Sequence, residues 1–523
     1  MKKVALILTF FAFYGFTQAH DDERLECTTI TVGRLASDDG SVRTSHTDDS
    51  HRTRSNISVV AAQNHPVGTA ITMYKREPCD TTLMRSYLHI PIGEIPQVAH
   101  TYAFLNSAYP CLNEKQLAIG ESTISGRKEL VSGIGLIDCQ RLCRLMLERC
   151  ATAREAIRTA GELLAEYGWI DEGECLTIAD KKEVWHLEIL GPGKGKKGAV
   201  WAAQRVPDEH IAVNANASTI RQIDTSNPDF FMYSPNVFSL AIENGWWNPA
   251  EGPFEFCYAY APESRVHIAC RRREWRVYDL LAPSLKLSPE SENYPFSVKP
   301  DKPVSLQDMV RVFQDYYEGT PFDIRKNLTV ANDSGKTVIS PVANPFMTRD
   351  ELKMLRVNGG WHALGERNIA VRQTMYATII QCREWLPDAI GGLCWFALDN
   401  VATSVFVPIY GGVTDLPSTY KTDGRKTGYS KEAAWWAFNR TGTLAYRRWG
   451  DTQKDLQAVW QPLQKFWFDN QRNIEAEVLK LFENNPQRAI DILTDYTNKC
   501  ANEAVEKAWK LGDDMWTKYE GLW

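Results

Sequence analysis

No Cys-x-x-Cys pair and no His-Glu-x-x-His element occurs in the 523 residues. Those are local spacings by which one loop or helix holds zinc, so neither a metal nor a cofactor is expected. No apolar run is long enough to span a bilayer comfortably. Val4 to Phe16 falls short of the roughly 20 residues that a membrane helix needs. Charge of one sign is not in excess either. The net charge of −6 supplies no basic surface for nucleic acid or anionic lipid, so neither nucleic acid nor a stable membrane anchor is expected as a partner. The glycine-lysine stretch at 191–198 lacks the spacing and the closing Lys-Ser/Thr of a phosphate loop, and reads as a hairpin turn.

What is present begins with size. A chain 44% hydrophobic and 24% charged buries a large core, in two or more units or in one large layered domain. Seventeen tryptophans, several in the C-terminal quarter, suit helix packing and cleft walls. Twelve cysteines leave an odd eleven once Cys27 is set aside, so cysteine usage does not fix the redox state.

The first residues carry an address. Lys2 and Lys3 precede the apolar run, and Thr17-Gln18-Ala19 offers small residues for cleavage, so 1–19 reads as a signal peptide. His20 to Glu26 is then a polar propeptide, and the protein is expected to be exported, periplasmic or secreted. A second cut would make Cys27 the terminal residue. Its thiol, ordinarily titrating near about 8.5, would lie beside an α-amine of about 7.7–8.0, which can take the thiol proton. Two plainer readings compete: an ordinary buried cysteine, or a lipid-modified one. Glu26 is too large and charged for the second.

A strand from Cys27 should turn at Asp38-Asp39-Gly40-Ser41 and return through His46 to Asp48 and Asp49, with the hairpin and its return reaching to about residue 75. The acidic pair is either a solvated strand end or a partner for the terminal amine. Leu117 to Gly120 reads as a short strand with Glu121, Ser122 and Thr123 clustered at its end. Helical periodicity covers 137–150 and 152–168, and strands follow near 175–179, 183–190 and 198–205. A strand from Ile211 would place Asn214 and Asn216 on one face, where an uncharged amide suits oxyanion stabilisation. Strand patterns return from Arg367, and Ser430 to about Glu520 is helical.

Five segments carry a family resemblance: C-T-T-I-T-V-G-R-L-A-S-D-D-G-S at 27–41, N-E-K-Q-L-A-I-G-E-S-T at 113–123, G-A-V-W-A-A-Q-R-V-P-D-E-H-I-A-V-N-A-N at 198–216, L-P-D-A-I-G-G-L-C-W at 386–395 and V-P-I-Y-G-G at 407–412. With them the chain resembles bacterial dipeptidases of the dipeptidase A type. These are cysteine enzymes of the N-terminal-nucleophile (Ntn) hydrolase superfamily, related to penicillin V acylase and bile salt hydrolase. The resemblance implies an α+β fold with a four-layer αββα core, here assigned to 27–450; the proline- and serine-rich 282–345 reads from its composition as an irregular insertion, and the helical pattern makes 451–523 a C-terminal cap. The resemblance also implies hydrolysis of dipeptides with Cys27 as nucleophile after autocatalytic exposure, Asp49 or Asp48 as the acid beside it, and Asn216 in the oxyanion region. Asp48, His46, Glu121, Ser122, Thr123 and Asn214 are expected in the substrate region. His46 stands where the acylase relatives carry arginine, and the superfamily's C-terminal arginine matches no evident position. Acylase activity on non-peptide amides and a non-catalytic exported lipoprotein are the alternatives. Self-association into a homo-oligomer is left open.

Overall fold

The computed structural model describes residues 27–80, 84–355 and 366–522. The signal and propeptide segments, 1–19 and 20–26, lie outside them. Strand β1, Cys27–Val32, is threonine- and valine-rich and buried at all six positions, as an internal strand should be. It turns at Asp38–Ser41, where Arg43 binds both Asp38 and Asp39, and returns as β2, Val42–Asp48, antiparallel to β1.

These two strands sit inside a seven-stranded antiparallel sheet. Its order is Ser297–Val298, Ile211–Asn214, β1, β2, Tyr376–Cys382, Leu393–Leu398 and Val407–Tyr410. A second, eight-stranded sheet runs Phe231–Tyr233, Val200–Arg205, Val184–Leu190, Gly173–Ala179, Ala118–Ile124, Leu112–Asn113, Phe104–Asn106 and Ser58–Val60. The expected return of the opening hairpin to residue 75 is therefore corrected. After β2 the chain crosses to the second sheet, where Arg54 reaches the Asn106 carbonyl. Residues Ala70–Asp80 and Arg85–Pro96 pair with each other as a separate ribbon.

The two sheets stack face to face, with β1 and β2 against Ala118–Ile124. The seam is unusually polar. Thr44 and Thr177 share a hydroxyl contact at 2.7 Å, and Thr31 meets His186 Nε2 at 2.9 Å. The sheets approach tightly at Gly120, where a Cβ would lie 2.3 Å from the Ser45 carbonyl oxygen. No other residue fits there without parting the sheets.

Helices cover both outer faces, which makes four layers, αββα. Cys139–Arg149 and Ala153–Tyr167 lie on the eight-stranded sheet; Asp138 and Thr152 cap their first turns. Ile268–Leu281, Ala434–Ala445 and Pro486–Tyr519 cover the seven-stranded sheet, and Trp449–Phe482 runs beside the last of these. The fold is α+β. Within 282–345 the regular elements are the 3₁₀ turn Pro283–Leu285, the capped helix Leu306–Phe313 and short strands. Among the described residues no helix is long and apolar enough to cross a membrane.

Candidate active site

Cys27 opens β1 and stands opposite Asp48 on β2. Side chains that face each other across a strand pair share one face, and His46, two residues back, shares it too. That face looks onto the second sheet. There Glu121 accepts a hydrogen bond from Cys27 Sγ at 3.3 Å. Glu121 also lies 3.1 Å from His46 Nε2, close enough for an ion pair but poorly aligned for a hydrogen bond. Cys27, His46, Asp48 and Glu121 are all at most 1% exposed.

The His46 ring is fixed edge-on by Tyr109 and Tyr376, with centroids at 5.5 and 5.6 Å. Burial disfavours its charged form, but Glu121 above all, then Asp48 and Asp49, outweigh this and raise its pKa. Asp48 accepts from the Thr53 hydroxyl at 2.7 Å. Asp49 is held by Arg367, by the Thr374 hydroxyl at 2.6 Å and by Thr47 at 3.0 Å.

The Glu121–Thr123 cluster does not end a strand, as the sequence suggested. The strand is Ala118–Ile124, and pairing with Gly173–Ala179 continues through all three residues. The Glu121 carboxylate nevertheless reaches Cys27 and His46 of the other sheet, and Thr123 donates to Glu174 at 3.1 Å. The shared face for Asn214 and Asn216 is also corrected. The strand stops at Asn214, and Asn216 adopts φ +62, which breaks the two-residue alternation. Asn214 donates to the Ala217 carbonyl at 2.7 Å. Asn216 instead joins the Cys27 group. Its Oδ1 accepts from Cys27 N at 3.3 Å, and its Nδ2 donates to the Thr123 carbonyl at 2.7 Å and to Ser122 Oγ at 3.3 Å.

Sequence reading missed the group that ties this together. Arg273, fully buried on helix Ile268–Leu281, donates to the Cys27 carbonyl at 2.6 Å, Thr28 Oγ1 at 2.9 Å, the Ala215 carbonyl at 3.0 Å and Asn216 Oδ1 at 2.8 Å. Its signal was hidden in the run Arg271-Arg272-Arg273, which reads as a solvated face. Arg367 and Thr374, from an apparent strand start, were missed likewise. The regular strand there begins only at Tyr376.

Behind Glu121 lie Glu174 and Cys139. Burial, with Glu121 adding to it for Glu174, raises both well above their ordinary values and keeps them protonated. Beside Asn216 a cavity of about 180 Å³ opens, lined also by Arg127, Glu172, Glu263, His267 and Cys270.

Asp48 gives the site a pH signature. Burial, only partly offset by His46 and Thr53, pushes its pKa from 3.8 up to about 7. The fold therefore favours the neutral acid. This contribution to stability is full below about pH 4 and is lost as pH rises towards 7. Asp48→Asn, neutral throughout, should change stability little at pH 4 and raise it at pH 8, on the order of a few kcal/mol. Urea midpoints at the two pH values measure this, and a gain equal at both would contradict the shift.

The model of peptidase family C69 matches residues 26–462. A probable dipeptidase of Latilactobacillus sakei is 25% identical over 402 residues, covering 76% of each chain. One of Salmonella dublin is 25% identical over 399 residues, 74% of this chain and 82% of that protein. A probable dipeptidase B of Streptococcus pyogenes serotype M1 is 22% identical over 534 aligned positions, 97% of this chain and 95% of its own. A match that begins one residue before Cys27 and runs through both sheets leaves one conclusion: the chain belongs to peptidase family C69.

Proposed function

We propose that the protein is an exported cysteine dipeptidase that works through Cys27 as its N-terminal residue. The observation that carries this reading is the convergence on Cys27. Its thiol, amide nitrogen and carbonyl are each engaged by a buried polar side chain: Glu121, Asn216 and Arg273 respectively. An ordinary core cysteine has no need of such a surround.

In the proposed cycle the α-amine accepts the Sγ proton while Glu121 orients the thiol. The thiolate attacks the peptide carbonyl. Arg273, held in place by backbone carbonyls, supplies positive charge near the developing anion, and Asn216 contributes an amide N–H. The ammonium returns its proton to the leaving amine. Water, deprotonated by the same amine, then releases the thioester. Asp48 and Asp49 flank the terminal residue, and Arg367 fixes Asp49 in place. The cavity beside Asn216 offers both signs of charge, Arg127 against Glu172 and Glu263, which suits a small zwitterion.

The test is the intact mass of the exported protein, followed by hydrolysis of dipeptides beside N-acyl amides of the penicillin V type. A mass beginning at Cys27 and turnover of dipeptides support the reading. Preferred turnover of acyl amides overturns the substrate class. A chain beginning at His20 yet fully active overturns the N-terminal mechanism, and added lipid mass at Cys27 does the same.

A further inference from the structure

We infer that Cys27 Sγ, His46 Nε2 and a Glu121 carboxylate oxygen form a binding site for a borderline-soft divalent cation, zinc above all. The site deepens the proposed function, because its fourth donor rests on the release of Cys27 as the terminal residue.

The sequence carries no local zinc motif, yet the fold builds a donor set from three separate strands. One atom from each residue lies within 4.8 Å of the other two. The measured edges are 3.3 Å from sulfur to carboxylate and 3.1 Å from imidazole to carboxylate. Around zinc, with bonds of about 2.3 Å to sulfur and about 2.0–2.1 Å to nitrogen or oxygen, a tetrahedral edge is about 3.3–3.5 Å. The two edges to the Glu121 carboxylate therefore lie within a few tenths of an ångström of those lengths, and the sulfur–imidazole edge closes the set within 4.8 Å.

Two further observations select this set. His46 Nε2 is buried, its 3.1 Å contact with Glu121 is poorly aligned for a hydrogen bond, and the ring is pinned by two tyrosines, so this nitrogen is held facing the carboxylate. A second three-donor group among the described residues, Glu121 with Cys139 and Glu174, lacks an imidazole and has no donor on the residue that processing makes terminal. The mixture of sulfur, nitrogen and oxygen suits zinc, cobalt or cadmium, and not magnesium or calcium.

The fourth position is open to chemistry that exists only after processing. An α-amine and a thiolate on one residue close a five-membered chelate ring, which an amide nitrogen does not. Metal affinity should therefore rise when Cys27 becomes terminal. Binding converts Sγ–H to a metal thiolate and releases its proton, and the His46 proton where present, to solvent. No electron is transferred. A coordinated sulfur is withdrawn from attack, so the cation and the dipeptide exclude each other, and binding tightens as pH rises.

The experiment titrates the mature, reduced protein, freed of added thiol reductant, with cobalt(II) and follows absorption. The expected result is one equivalent bound, with a sulfur-to-cobalt charge-transfer band in the near ultraviolet and reversal by zinc. The band should be lost in Cys27→Ala, and His46→Gln should weaken binding at least about tenfold. Glu121→Gln carries the same test should His46→Gln fail to fold by circular dichroism. Equal binding by Cys27→Ala, or no saturable binding at micromolar cobalt, overturns the site. The spectrum needs no turnover. Dipeptide hydrolysis without cobalt binding removes the metal site and keeps the enzyme reading, whereas a bound chain beginning at Cys27 that hydrolyses nothing does the reverse.

Discussion

Cys27→Ala is expected to lower dipeptide turnover by roughly 10⁶-fold while the fold survives, and to leave His20 to Glu26 attached to the chain. Both effects follow from one atom. The sulfur is the proposed nucleophile for substrate, and under the same proposal it would also attack the Glu26–Cys27 peptide to expose itself. The structural cost is small, because the weak sulfur hydrogen bond to Glu121 is 3.3 Å long and alanine fills most of the volume. Mass spectrometry reads the first residue, and a steady-state assay on the same sample reads turnover. Cys27→Ser sharpens the result. It keeps a nucleophile of the right shape but a far more basic one, so slow processing with residual turnover is expected. Full activity in Cys27→Ala would end the proposed mechanism outright.

Asn216→Ala should cost about 10²–10³ in kcat, the usual loss for one oxyanion donor. The geometry says why the amide has a donor to give. One of its two N–H groups is committed to the Thr123 carbonyl at 2.7 Å, while the other makes only a long contact with Ser122 at 3.3 Å. That second N–H can turn to an anion without leaving a strong bond. Alanine brings a second, separable effect. Asn216 has φ +62, a left-handed conformation that costs alanine about 1–2 kcal/mol and glycine almost nothing. Asn216→Gly therefore removes the amide without the strain. Equal kcat losses in the two variants assign the effect to the amide. Recovery of turnover in Asn216→Gly would assign it to backbone geometry and remove the catalytic role.

The opening hairpin was legible because its signals are local. Alternating threonines, an Asp-Asp-Gly turn and an acidic end lie within about twenty residues, and β1 and β2 occur as that pattern implies. The helices at 139–149 and 153–167 were legible for the same reason: periodicity and caps are written in the segment itself. Glu121 was recognisable as a candidate, but its setting was not. Whether a polar triplet ends a strand or lies within it depends on a partner strand more than fifty residues away. Arg273 shows the limit most clearly. Three consecutive arginines on a helix look solvated, and only the packing of that helix over the Ile211–Asn214 strand shows that Arg272 and Arg273 are buried and that Arg273 is held on the Cys27 and Ala215 carbonyls. The zinc-type donor set was illegible in principle, since its members come from three strands in two sheets.

The contact at Gly120 bears on evolution and engineering alike. The residue that touches the opposite sheet is the immediate neighbour of Glu121, so the gap between the layers there acts as a gauge block for the Cys27–Glu121 distance. A methyl group at position 120 would act as a shim, lifting the carboxylate away from the thiol before it loosened anything else. Core-filling changes that usually make a protein sturdier would, at this one spot, detune the chemistry, and stability and activity cannot be optimised there independently.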